Sequence, residues 1–318
     1  MGTQSKTEIG PAVSGFWRRL SAFLVDALIL GAVGWLFALL CYEWLLGLTW
    51  EGKLIGFAIA LPYITLLNSE VGGGATLGKR LLRIRVVGID GKPISIIRSF
   101  VRYLVLALPF FLNGAEIPEN SLAKVIGIIS AAFVLGFGIP ILYYLVFNKR
   151  NRRSLHDIIA GTVVLRHCAD ISNVDWRIWK VHHFVVISLV VSVGLTTALI
   201  LNPVSPELLT KLGRVQSLVL TLPETMTAGV TQQTTIITTT KSGTRTNSYI
   251  AIVVRVREEP SDPDYFSSTV ADLARSSGIS EVQDEYLVVT TYWGYDIGIA
   301  YFSKSFSKQF APIEHELK

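Results

Sequence analysis

Cysteine is nearly absent from this chain, with only Cys41 and Cys168 in 318 residues. So few thiols exclude a disulfide-stapled secreted scaffold. Neither cysteine has the spacing of a metal site, which leaves packing as their role. Charge is thin as well, at 17% of residues against 50% apolar, with a mean hydropathy of +0.47. That balance excludes an ordinary soluble protein and calls for several long apolar segments. Acid is scarce in one part only. Residues 1–202 hold 11 Asp and Glu against 19 Lys and Arg, while residues 203–318 hold 13 against 10. The basic residues punctuate apolar runs, which excludes nucleic acid as a partner and marks loops on the cytoplasmic side of a membrane. Histidine is scarce too. Beyond residue 202 there is only His315, and no nucleophile motif accompanies it, so the chain reads as neither an enzyme nor a cofactor carrier.

What the chain does have is long hydrophobic runs. Residues 20–42, LSAFLVDALILGAVGWLFALLCY, hold one charge in 23 positions, enough to cross about 30 Å of hydrocarbon. The run is too long for a signal-peptide core and lacks a cleavage site. Further apolar runs lie at 54–68, 99–113, 123–147 and 181–201, with the polar stretch NGAEIPEN dividing the third from the fourth. Basic stretches occupy 76–102 and 149–180. Both fall on the cytoplasmic side only if 99–113 and 123–147 form a hairpin of two crossings, because Lys and Arg accumulate inside. The expectation is therefore about five transmembrane helices, with the N-terminus in the cytoplasm and the C-terminus outside. Cys41 and Cys168 then lie on opposite faces and cannot pair.

Residues 203–318 are different material. NPVSPE is a linker whose prolines end the last span. TTIITTT and SYIAIVVRVR read as strands flanking the turn-like KSGTRTN, and EYLVVTTYWG and IGIAYFS supply two more. A helix is expected over 263–277, capped by Asp262, opened by Pro263 and stopped by Gly278. The fold class is thus an α-helical polytopic membrane domain followed by a small α+β extracytoplasmic domain.

GGGATLGKR, residues 72–80, imitates a phosphate-binding loop. Such a loop needs a strand before it, a helix after it and Ser or Thr after the lysine. Here Arg80 holds that last position, an apolar run precedes the loop, and IRVVGIDGKP after it reads as a short strand pair with a turn. The glycines are expected to let the chain leave the membrane and turn tightly.

Asp26 is the most informative charge. It lies seven residues after Arg19, so helical geometry returns it to nearly the same face. A carboxylate at that depth costs roughly 2.5–3.5 kcal/mol on insertion scales. It reads as half of a structural ion pair with Arg19, with Asp157 as the second acceptor, and as an ion or proton site, two readings that do not exclude each other. In RRSLHDIIAG, Arg153, His156 and Asp157 cluster. His156 and Asp157 lack the distant ligands of a metal centre, and Asp157 reads as the partner of a buried arginine. His182 and His183 read as interfacial residues opening the last span.

Together GFWRRLSAFLVD, GGGATLGKRLLRIRVVGIDGKPIS and RRSLHDIIAGTVVL make residues 14–167 resemble the RDD family of membrane proteins. The family's arginine and two aspartates fall on Arg19, Asp26 and Asp157, and its central basic loop on Gly78, Lys79 and Arg80. The resemblance implies a bacterial-type plasma-membrane protein that moves a small ion or solute, sodium–proton exchange being the example, with Asp26 and Asp157 as candidate carboxylates, Arg19 holding one of them ionised, and no nucleotide chemistry in the loop. The organisation expected is a disordered N-terminus over 1–13, the membrane domain over 14–167, a connector and last span over 168–202, and the outer domain over 203–318. The outer domain departs from the family and resembles nothing. It raises the alternative of a non-transporting scaffold or sensor that binds a ligand or partner there. Expected partners are the lipid bilayer, a small ion or solute, and a protein partner or second copy held through the membrane helices or outer domain.

Overall fold

The computed structural model describes residues 12–114, 121–167, 169, 171–201, 206–239, 243–277 and 286–311. The expectations for the N-terminal stretch before residue 12, most of NGAEIPEN, Cys168, the first four residues of the NPVSPE linker, the start of KSGTRTN, Gly278 and His315 lie outside them. In chain order the first elements are α1 (Phe16–Leu40), α2 (Tyr42–Leu46), α3 (Glu51–Asn68), α4 (Leu77–Leu81) and β1 (Ile84–Gly88). There follow α5 (Ile96–Leu112), α6 (Ser121–Phe147), α7 (Leu155–Ile159), β2 (Thr162–Arg166) and α8 (Lys180–Leu201). The last are α9 (Pro206–Val219), β3 (Thr225–Thr239), β4 (Gly243–Val256), α10 (Pro263–Ser276), β5 (Tyr286–Asp296) and β6 (Tyr301–Phe310).

Each of the five apolar runs is a helix: α1, α3, α5, α6 and α8. Among the described residues, two stretches are long and apolar enough to cross a membrane, Phe16–Leu40 and Ser130–Phe147. Lys180–Thr196 of α8 is a shorter apolar helix. α3 opens on Glu51 and Lys53, and α5 carries Arg98 and Arg102 in 17 residues.

The chain divides into two compact units: residues 1–40, 50–198 and 297–300, and residues 41–49, 199–296 and 301–318. In the first, α3 and α5 pack through Ala60, Tyr103 and Ala107, with Phe57 stacked on Tyr103 at 5.7 Å between ring centroids. β1 does not pair with its own downstream turn, as IRVVGIDGKP suggested. Its partner is β2, antiparallel, with Val86 opposite Val164. Neither strand alternates polar and apolar, because both faces of the ribbon are covered. Val86 and Val164 pack with Ala22 of α1, while Val87, Val163 and Leu165 pack with Val174. A two-stranded ribbon is marginal in water, so this burial on both faces is what holds it.

In the second unit the sheet order is β3-β4-β5-β6, antiparallel except for the parallel pair β4–β5. A parallel pair needs a crossover, and α10 supplies it. α10 starts where the sequence indicates: the Asp262 carboxylate accepts from the Tyr265 amide at 2.9 Å and Pro263 opens the first turn. Ile250, Ile252, Val254 and Val256 point to one face of β4, as Leu287, Val289 and Trp293 do on β5. α9 and α10 cover that face with Val215, Val219, Phe266, Val270, Ala271 and Ala274. α9 had no sequence expectation, and IGIAYFS begins four residues before the strand it was assigned to. Residues 41–49 also belong to this unit, where Arg255 donates to the Leu48 carbonyl at 2.6 Å.

Candidate functional site

The three family positions do not form one cluster. Asp157 opens the short helix α7 as the third residue after its cap, Ser154. The Ser154 amide donates to the Asp157 carboxylate at 3.4 Å, completing a capping box. Arg19 reaches it from α1, its Nη1 3.2 Å from Oδ2, and also donates to the carbonyls of Arg152 and Val164 at 2.6 and 3.3 Å. Arg102 comes from α5, with Nε and Nη2 each 3.0 Å from Oδ1. The Thr162 hydroxyl at the start of β2 donates to the same oxygen at 2.9 Å. Asp157 thus ties α1, α5, α7 and β2 together while fully buried. Burial alone would push its carboxyl up, but Arg102, with Arg19 and Thr162, outweighs that and holds it well below the usual carboxylate range.

His156 lies 3.7 Å from Asp157. Burial pushes its imidazole down to about 3, so it is neutral near pH 7 and the contact is not an ion pair. Among the described residues, no third His, Cys, Asp or Glu converges on this doublet. Arg153 spans α7 and β2, donating to the carbonyls of Thr162 and Asp157 at 3.0 and 3.2 Å, and lies 5.5 Å from the Trp176 ring centroid. His182 and His183 meet tyrosines of α6, His182 with Tyr143 at 3.1 Å and His183 with Tyr144 at 2.6 Å.

The expected Arg19–Asp26 pair is corrected by this arrangement. Arg19 spends its guanidinium on Asp157 and two carbonyls, although it shares a helical face with Asp26. The physical reason is that the short helix α7 brings Asp157 to the start of α1, where Arg19 is. Asp26 lies deeper and meets neutral donors instead. Its Oδ1 accepts from the Tyr63 hydroxyl of α3 at 2.6 Å and the Gly78 amide at 2.8 Å, and its Oδ2 from the Thr76 hydroxyl at 2.5 Å. It is 7% exposed.

The glycine-rich loop makes that contact possible. Gly74 has φ +78°, and a Cβ there would stand 2.4 Å from the Val86 carbonyl oxygen, whose own strand amide donates to the Gly74 carbonyl at 2.7 Å. A Cβ on Gly78 would stand 2.2 Å from the Ala22 carbonyl oxygen and 3.0 Å from the Asp26 carboxylate. Only glycine lets α4 lie this close to α1 and offer its amide to Asp26. Arg80 donates to the carbonyls of Ala75 and Gly72 at 3.1 and 2.9 Å and so closes the loop on itself. α4 has five residues and follows a helix rather than a strand. The loop therefore lacks the strand–loop–helix setting of a phosphate cradle.

Lys79, half-buried, donates to Asn68 Oδ1 at 2.5 Å. Burial, with Arg102 and Arg19 adding repulsion and Asp26 and Asp157 opposing it, pushes its ammonium down to about 7. Arg102 and Tyr63 were not singled out as site residues. Arg102 carried a signal, a charge within an apolar run. Tyr63 carried none, since an aromatic in a span is ordinary.

Residues 13–161 match the RDD family, so this part of the chain is an RDD family domain. The α+β region lies beyond the match. "Uncharacterized protein YckC" of Bacillus subtilis (strain 168) is 28% identical over 155 residues, covering 48% of this chain and 83% of that protein. No solved structure matches significantly.

Proposed function

We propose that the RDD domain carries a small ion or solute across a bacterial-type plasma membrane, with Asp26 as the carboxylate that takes and releases it. One observation carries this reading: the two family aspartates have opposite surroundings. Asp157 is neutralised by Arg19 and Arg102 and caps a helix, so it serves the fold. Asp26 is buried in an apolar helix and bonded by hydroxyls and an amide. Among the described residues no cation reaches it within ion-pair distance. An intramembrane carboxylate without a fixed countercharge can exchange a proton for a cation.

The topology that serves this reading has five crossings, α1, α3, α5, α6 and α8, with the N-terminus cytoplasmic and the α+β domain outside. It is supported by the five apolar helices and by the basic residues that follow α3 and α6. The reading needs no catalytic residue, metal or cofactor.

Ligand-linked stability tests it. A cation that binds the folded state at about a hundred times its Kd stabilises by about 2.7 kcal/mol. The purified full chain should melt higher in a chloride salt of lithium, sodium or potassium than in choline chloride of equal ionic strength. Asp26→Asn should abolish that difference while melting normally in choline. A cation-dependent shift of equal size in Asp26→Asn would contradict the proposal.

A further inference from the structure

Three arginines meet where one apolar helix begins and another ends. Arg18 stands on the first turn of α1, Arg152 in the turn after α6, and Arg166 at the end of β2. With Gly15, Phe16, Trp17 and Val146 they line an open cleft of about 540 Å³. Arginines scattered through cytoplasmic loops need no explanation beyond the positive-inside tendency. These three come from separate parts of the chain and converge on one cavity.

Three further observations point to an anionic occupant. The buried Nε of Arg166 has no hydrogen-bond partner among the described residues. No acidic side chain among the described residues pairs with Arg18, Arg152 or Arg166, although Arg150, two residues before Arg152, pairs with Asp175 at 3.6 Å. Arg152 also holds φ +48°, a strained conformation for a residue with a Cβ. Its carbonyl accepts from Arg19, which fixes the turn that presents its side chain.

We propose that this cleft seats a phosphate group, and that the phosphate belongs to an anionic phospholipid. Guanidinium groups match phosphate oxygens in geometry as well as charge. The apolar wall selects the lipid over a free anion. Trp17 is 76% exposed and Val146 41%, side by side with the arginines and at the ends of the two helices long enough to span a bilayer. Tryptophan at such a position marks the headgroup level. The inference stands apart from any transport by Asp26, since none of the cleft residues touches that carboxylate.

The test uses the full chain in nanodiscs of phosphatidylcholine containing a minor fraction of phosphatidylglycerol, with lipid retained on the protein measured after transfer to detergent. The wild type should retain phosphatidylglycerol over phosphatidylcholine. Neutralising Arg18, Arg152 and Arg166 to Gln should weaken that preference by about fivefold for each arginine. Arg150→Gln should leave it unchanged. Arg18→Gln alone, at an exposed position, keeps the test open if the triple variant does not fold. Inorganic phosphate that displaces the lipid and binds equally well without it would overturn the lipid assignment in favour of a free anion. Equal retention of both lipids by the wild type, or an unchanged preference in the arginine variants, would overturn the site.

Discussion

A double-mutant cycle on Arg19 separates the arrangement seen here from the simpler pairing its helical face suggests. The Arg19–Asp157 contact at 3.2 Å and the Arg102–Asp157 contact at 3.0 Å are each worth about 5 kcal/mol of Coulomb attraction at an effective dielectric of about 20. Both side chains of each pair are less than a tenth exposed, so solvent screens them little. Desolvation offsets most of that attraction, but stranding one partner still costs about 3–5 kcal/mol. Arg19→Ala leaves Arg102 on the carboxylate and should fall near the lower end. Asp157→Asn strands two guanidiniums and should reach or pass the upper end. Unfolding in mixed micelles, followed by tryptophan fluorescence, should give a coupling of about 1–3 kcal/mol for Arg19→Ala with Asp157→Asn. The same cycle with Asp26→Asn should give less than about 0.5 kcal/mol. A larger coupling to Asp26 than to Asp157 would refute the reasoning.

Gly78→Ala places a methyl 2.2 Å from the Ala22 carbonyl oxygen, so it should destabilise the chain by about 1–3 kcal/mol and weaken any cation response through Asp26. Gly213→Ala, where a Cβ meets nothing within 4 Å, is the control, and equal melting of the two variants would argue against the close helix contact. For topology, single cysteines at Lys92 and Arg152 should resist an impermeant reagent on intact cells while one at Ser261 reacts. Labelling at position 152 would contradict five crossings. The stabilisation by Asp157 should be present above the unfolded carboxyl pKa and fade as pH falls below it, because the folded-state value is depressed. Asp157→Asn should therefore flatten the acid limb of a melting-versus-pH curve, and an unchanged limb would count against that role.

The helices were legible because apolar length is a local property: each of the five runs became a helix, and Asp262 with Pro263 marked the start of α10 to the residue. What was hidden depends on distant contacts. The valines of IRVVG show that a strand forms but not that its partner lies 74 residues or more away in β2. α9 escapes the sequence reading although Pro206 at its first position, Glu207 after it and the spacing of Leu212, Val215 and Val219 are helix signals, because that reading takes the prolines of NPVSPE only as a linker. Arg19 and Asp26 share a helical face, yet the third dimension brings Asp157 to Arg19 and hydroxyls to Asp26. Arg80 sets the loop GGGATLGKR apart from the phosphate-loop pattern in the sequence, but the loop's service to Asp26 rests on Gly78 packing against Ala22, a contact with no sequence signature.

The most direct measurement is cation-driven proton movement in proteoliposomes made from the full chain, read by an internal pH dye after an imposed cation gradient. The wild type should move protons against the imposed cation gradient, and Asp26→Asn, folded and inserted, should exchange nothing. Full exchange by Asp26→Asn would contradict the central claim, as would a wild type that moves no cation against protons under any imposed gradient.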